Sequence, residues 1–353
     1  MMKIKVWSCI CLLIFKIRRL TSMRTASLQI LFFVICVTSV AIVNIALRLI
    51  QQRNDLIQLR ELAQRTKLLT FRRSDRWGLG NEMFALASAT CIVKKYHRNW
   101  ILCVDKNAAI RRAFDLDGIP FCDAESLLND LHAVMLREEF YAVYDARVET
   151  LPRDTHLVLD RFFQSWRYFV DCDASVRNLF TFKAFIWSQA RRELVTAVHR
   201  TLGCSACFDE VMTIGVHVRR GNMESNEELK RFGYTVADSE YLHRALEYID
   251  DKLILHSYPR HAIVVISDDI PWCRDNLRNV NNVVFLSTND AMLDMAVLTQ
   301  CQHVVMTVGT FGWWGAWLAN GTVIYYSNWP RKGSMLDKAT SHSDYFPPNW
   351  IAM

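Results

Sequence analysis

The second half of the chain alternates short apolar, β-branched runs with stretches of helical period. Thr213-Ile-Gly-Val-His-Val-Arg219 reads as a strand, and Ser239 to Asp251 as an amphipathic helix. Ala262 to Ser267, Val283 to Leu286, His303 to Thr307 and Thr322 to Tyr326 repeat the strand pattern. Helices are predicted near Trp272 to Leu277, over Ala291 to Cys301 and from Thr310 onward. Strands without a polar face, separated by helices, predict a parallel sheet covered on both sides. Such sheets bind ligands outside the carboxyl ends of their strands. The polar residues at those ends are Arg219-Arg220-Gly221, Ser267-Asp268-Asp269 and Thr307-Val-Gly-Thr310.

The first half is less legible. Gly78-Leu-Gly-Asn81 precedes a predicted helix, Glu82 to Lys95, and a strand, Trp100 to Val104. A glycine-rich turn before a helix brings backbone N–H groups close to a phosphate; a plain tight turn explains two glycines equally well. The fold class expected is α/β, with two domains facing a cleft, residues 71–205 and 206–353.

Upstream, Thr25 to Leu47 holds 23 residues without a charge, and a helix of about 20 apolar residues spans a bilayer. Residues 1–24 carry six basic side chains and no acid, which predicts a cytoplasmic tail, an uncleaved anchor over 25–47 and a lumenal remainder. Residues 48–70 read as a helical stem. Leu49, Leu56 and Ala63, with Gln52 and Leu59, form a loose heptad that admits pairing into a homodimer, although a solvated spacer is the plainer reading.

Charge and cysteine then narrow the class. The formal charge is +6, from 42 basic and 36 acidic residues. Removing the six basic residues of the tail leaves 36 against 36, so the body is neutral and a nucleic-acid partner is not expected. Of 11 cysteines, eight follow the expected span, and an oxidising compartment would allow several disulfides. Cys204-Ser-Ala-Cys207 has no second pair at ligand spacing, so no metal site is expected there; a short-loop disulfide and two free thiols are both open.

The chemistry centres on His217-Val-Arg219-Arg220-Gly221. Adjacent guanidiniums at a strand end suit a diphosphate, whose charge grows as a sugar departs. The bland alternative is an ion pair with Glu224, Glu227 or Glu228. Ser267-Asp268-Asp269 admits a divalent cation or, more simply, a helix cap. Trp313, Trp314 and Trp317 sit at helical spacing, where core packing is the default. Asn320-Gly-Thr322 is a glycosylation sequon and equally a good turn.

Several of these segments carry a resemblance. Gly78-Leu-Gly-Asn-Glu-Met-Phe84, Phe163-Gln-Ser-Trp-Arg-Tyr-Phe169 and Gly215-Val-His-Val-Arg-Arg-Gly221 resemble blocks of the α-1,2-fucosyltransferases, the family 11 glycosyltransferases. So do Ser267-Asp-Asp with Trp272-Cys273, Asp294 to Cys301 with Thr310 to Trp317, and Asp344-Tyr-Phe-Pro-Pro-Asn-Trp350. The resemblance runs from Trp77 to Trp350.

It implies transfer of L-fucose from GDP-fucose to a glycan acceptor with inversion, α-1,2 to a terminal galactose. A fucosyltransferase of another linkage or acceptor, or an inactive glycan-binding relative, are the alternatives. It also implies two Rossmann-like domains of the GT-B type, the first acceptor-side and the second binding GDP-fucose, with no metal required. The expected location is the Golgi membrane, single-pass, with the catalytic part lumenal. Carried over by position, Arg219 is the main diphosphate contact, with His217 and Arg220 beside it. Asp294 binds the nucleotide, Thr310 the phosphates, and Gly80 and Asn81 lie near the sugar. Where the family commonly has Asp, this chain has Asn222. Glu224, Glu227 and Glu228 are the nearby acids that could take over its role, Glu227 foremost by its spacing, and the general base stays unassigned.

Overall fold

The computed structural model describes residues 26–74, 77–96, 99–204, 207–254 and 260–353. The expected tail, Thr25, and the side chains of 26–33, Leu49, Gln52, Leu56 and Asn222 lie outside the described residues. Two compact units are found, Met1–Glu61 and Leu62–Met353. The first is described by helix α1, Ala26–Arg65, whose last residues reach into the second unit's sequence. Among the described residues, no helix is long and apolar enough to cross a membrane.

The second unit holds two parallel sheets. The first comprises β1 (Lys67–Phe71), β2 (Trp100–Leu102), β3 (Val134–Arg137) and β4 (Leu157–Asp160), in the order β2-β1-β4-β3. Lys67 to Thr70 is therefore sheet rather than stem: Leu68, Leu69 and Thr70 are buried, and that burial outweighs the local helical pattern. The second comprises β5 (Val211–Val218), β6 (Arg260–Ser267), β7 (Val283–Phe285), β8 (His303–Met306), β9 (Val323–Tyr325) and β10 (Ile351–Ala352). Its order is β10-β9-β8-β5-β6-β7. The strand predicted over Thr213 to Arg219 thus runs from Val211 to Val218, every residue buried.

Each sheet reverses its strand order once, between β1 and β4 in the first and between β5 and β8 in the second. Reversal parts the connecting loops and opens a crevice at the carboxyl ends. The helices that matter for the site are α2 (Leu79–Tyr96), α3 (Ala184–Leu202), α4 (Ser239–Ile249), α5 (Ile270–Asn276), α6 (Ala291–Leu298) and α7 (Thr310–Ala319). Asp238, Asp269 and Asp290 start α4, α5 and α6 by accepting the backbone N–H of Tyr241, Trp272 and Met292. Gly203, at φ +64°, ends α3.

Aromatic packing within this unit joins the sheets. Phe84 of α2 lies 4.6 Å from the Trp313 ring and 5.0 Å from the Trp314 ring, both on α7, and all three are fully buried. Phe169 stacks on Trp314 at 5.5 Å, and the Trp313 indole N–H donates to the Tyr345 carbonyl at 2.9 Å. The tryptophans are core, as their spacing predicts. The closing block also folds back. Asp344 pairs with Arg167 at 2.9 Å, and Ile351 and Ala352 add the last strand beside β9.

Disulfides join Cys91 to Cys172, Cys103 to Cys122 and Cys204 to Cys207. Cys273 and Cys301 are buried thiols. Truncating Phe84 to alanine leaves a cavity where the sheets' helices meet, and chemical denaturation should show a loss of about 3–5 kcal/mol. A loss below about 1 kcal/mol would mean that this cluster does not hold the halves together.

Candidate active site

Arg219 follows β5 directly, and Thr307 follows β8, so both sit at the reversal of the second sheet. The Arg219 backbone N–H donates to Thr307 Oγ1 at 2.9 Å, and the Thr307 N–H donates to the His217 carbonyl at 3.0 Å. Gly309, at φ +93°, turns the chain into α7. A side chain there would be strained, and its Cβ would lie 3.1 Å from Arg219 Cδ. The first turn of α7 contains no acid, so its free N–H groups and the guanidinium favour an anion at the same strand ends.

His217 lies beneath this site, 5% exposed, with its ring 5.3 Å from that of Phe311. Gly312 makes room for it, because a Cβ there would come within 2.3 Å of Nδ1. Burial first, and then the Arg219 charge, push the imidazole down to about 3. It is therefore neutral at physiological pH and a poor proton acceptor.

Arg220 differs from its neighbour. Its backbone N–H donates to Asp268 at 2.8 Å, and its guanidinium lies 3.6 Å from Asp269, 3.9 Å from Glu224 and 4.1 Å from the Trp272 ring centroid. These contacts brace the β5 and β6 loops against each other. Gly221 is required there, since a Cβ would meet Asp268 Oδ2 at 2.4 Å. The carboxylates of Asp268 and Asp269 are engaged by Arg220 and by the start of α5, as the helix-cap reading expects.

The structure brings Gly80, Asn81 and Thr310 together from opposite halves of the sequence. Gly80 and Asn81 sit in the first turn of α2 rather than in a turn before it. A Cβ on Gly80 would lie 2.6–2.8 Å from Thr310 atoms, so only glycine lets the two helix starts touch. Thr310 Oγ1 donates to Asn81 Oδ1 at 2.9 Å, which commits the hydroxyl proton expected for phosphate. Gln164 Nε2 donates to the same oxygen at 3.0 Å. Sequence reasoning did not single out Gln164; its only signal was membership of the Phe163 to Phe169 block.

Three further residues sit apart from this cluster. The Asp294 carboxylate accepts from Thr288 N at 3.0 Å and Thr288 Oγ1 at 2.8 Å, and burial raises its pKa. It shapes the loop after β7. The Glu227 side chain is 70% exposed and pairs with Lys230 at 3.2 Å, the pattern of a solvated helix face. Asn320 is exposed at φ +61° at the end of α7, in the expected turn.

An opening of about 690 Å³ lies at the carboxyl ends of β1, β3 and β4. Trp77, Tyr141 and Phe162 line it, together with the pairs Arg72–Glu125 (2.8 Å) and Arg137–Asp160 (3.5 Å). Arg161, at φ +84°, lies over the Tyr141 ring at 5.4 Å. Tyr141 contacts Phe232, which contacts Tyr234. The Arg219 charge reaches Tyr234 and opposes the rise that burial causes in its pKa. The opening and the Arg219 strand end are thus linked through three rings.

The buried His217 has a consequence for stability. Its folded pKa lies below its unfolded one, so the unfolded chain binds the extra proton between about pH 6.5 and 3. The stability this group contributes is complete above pH 6.5 and is lost progressively as pH falls. His217→Phe should flatten that loss in denaturation measured from pH 7 to 5; an unchanged slope would exclude His217 as its source.

The sequence profile described as Glycosyl transferase family 11 matches residues 127–353. Galactoside alpha-(1,2)-fucosyltransferase 1 of Alouatta belzebul is 32% identical over 282 residues, covering 78% of this chain and 72% of that protein. The enzymes of that name from Ateles belzebuth and Homo sapiens are 33% and 32% identical, each match covering 57% of this chain and 53% of theirs. In these matches the chain spans about half the length of the curated relative. Among solved structures, NodZ alpha-1,6-fucosyltransferase co-crystallized with GDP aligns at TM-score 0.44 and 14% identity, covering 71% of this chain and 91% of that one. POFUT1 in complex with GDP aligns at 0.41 and 9%, covering 73% and 95%. The profile match and the Alouatta alignment, extending over most of the compact unit, show that this chain belongs to glycosyl transferase family 11.

Proposed function

We propose that this protein transfers L-fucose from GDP-fucose to a glycan acceptor with inversion, joining it α-1,2 to a terminal galactose. The observation that carries the reading is the site at the β5–β8 reversal. An arginine whose backbone is held by Thr307, a glycine turn and an acid-free helix start meet there at the ends of β5 and β8. In the transfer, the acceptor oxygen bonds to the sugar carbon as the bond to the diphosphate breaks. The acceptor's hydroxyl proton is released to water, and negative charge gathers on the departing GDP. Arg219 and the first turn of α7 stabilise that charge where it grows, which lowers the barrier more than it strengthens donor binding. The opening at the ends of β1, β3 and β4 suits a saccharide acceptor, because rings stack on the apolar faces of sugars and charged pairs meet their hydroxyls. Names and identities of the relatives support the α-1,2 linkage and the galactose acceptor.

The uncharged stretch from Thr25 to Leu47, with its basic flank, supports anchoring in the Golgi membrane with the compact unit lumenal. Val34, Ile35, Val37 and Ile42 are exposed on α1, as an apolar surrounding would favour. Three disulfides within the compact unit suit an oxidising lumen, and the exposed Asn320 suits N-glycosylation.

The test is turnover of GDP-fucose by the purified protein across a panel of acceptors, with linkage analysis of the product. Arg219→Ala should lower kcat by at least about 100-fold while leaving the fold intact. Full turnover in that variant would contradict the diphosphate assignment. Saturable glycan binding without transfer or hydrolysis would identify an inactive relative instead.

A further inference from the structure

Gln164 is a half-buried amide on a loop that is held with unusual firmness. The residues before it include two left-handed non-glycines, Arg161 at φ +84° and Phe163 at φ +52°. Such backbone is costly and persists only where its surroundings impose it. Here they do. The Phe163 N–H donates to the buried Glu138 carboxyl at 2.9 Å, and Ser88 Oγ donates to the Phe163 carbonyl at 3.1 Å. On the other side, Ser165 Oγ donates to the Asp344 carbonyl at 2.7 Å. Helix α2, the β3 end and the closing block therefore all pin the backbone that carries Gln164.

What that rigid loop presents is one hydrogen bond, Gln164 Nε2 to Asn81 Oδ1 at 3.0 Å. Thr310 Oγ1 supplies the second donor to the same oxygen at 2.9 Å. A carbonyl oxygen has two lone pairs, so these two donors occupy both and fix the plane of the Asn81 amide. Its Nδ2 then carries two N–H groups that no acceptor among the described residues takes. They sit beside the start of α7, where the proposed reaction places the departing diphosphate.

We infer that Gln164 is a positioning residue: it holds the Asn81 amide with Nδ2 turned outward, as an oriented donor to an oxygen of the sugar nucleotide. The inference rests on the fucosyl-transfer reading and adds a residue to its machinery. Gln164 touches no reacting atom and acts through Asn81. The charge-bearing oxygen gains a donor that needs no reorientation as the bond breaks, so the effect belongs in kcat.

The test uses Gln164→Glu in the full chain. The new side chain keeps the size of the old one, but as a carboxylate it only accepts, so Asn81 must turn Nδ2 toward it and away from the ligand. Expected is a fall in kcat of about 10- to 100-fold. The KM for GDP-fucose should change by less than about threefold, and the thermal midpoint should stay at the wild-type value. Asn81→Asp, which still accepts both bonds and has no N–H to offer, should lose kcat alike. Placed on Asn81→Ala, Gln164→Glu should add less than about twofold, because its only route is gone. Wild-type kcat in Gln164→Glu, or a loss that multiplies with that of Asn81→Ala, would overturn the positioning role. A wild-type protein that neither turns over GDP-fucose nor binds GDP would instead overturn the reading beneath it.

Discussion

Two helix starts meeting tip to tip govern the rest of the structure. Gly80 in the first turn of α2 lies against Thr310 in the first turn of α7, so closely that no side chain fits between them. Each helix follows a strand beside the reversal in its own sheet, β1 for α2 and β8 for α7. Bringing the starts together therefore brings the two crevices into register. Phe84, Trp313 and Trp314 fix the contact one turn further along, where burial of large rings supplies the free energy. The polar contacts at the tips are individually small and have geometric value.

Charge is placed on this frame with little to spare. Of the two adjacent arginines, Arg220 has its guanidinium beside Asp269, Glu224 and the face of Trp272, while Asp268 holds its backbone N–H, and its loop becomes a rigid wall. The other leaves β5 at the reversal itself, above an imidazole that burial keeps neutral. A charged histidine there would repel the guanidinium and the helix start alike. The close packing of Gly312 on His217 keeps water from the ring and so keeps it neutral.

Much of the second sheet was legible because its strands are largely apolar on both faces and its helices announce themselves by period and cap. Ala262 to Ser267 and Asp269 before α5 are examples. The first sheet was harder. Its strands are three to five residues long, and Ala146–Thr150, Trp166–Tyr168 and Val170–Cys172 are single 3₁₀ turns with no period to read. Lys67 to Phe71 continues a helical run in sequence and becomes strand through neighbours distant along the chain, Leu102 and Leu157 on either side of Leu69. At the site, Arg219, Thr310 and Asn81 were legible through residue type and motif. The separate duties of Arg219 and Arg220 were not, since only the fold shows which acids reach which guanidinium. Gln164 and the left-handed Arg161 carry no local signal, because their roles come from contacts across the chain.

Hydrogen exchange on the full chain, with and without GDP, tests most directly whether this meeting of helix starts is the nucleotide site. Slowed exchange should be confined to the strand ends at Val218–Arg220 and Thr307–Phe311, together with Gly78–Asn81. Protection centred elsewhere, or none under conditions where GDP binds, would contradict the account.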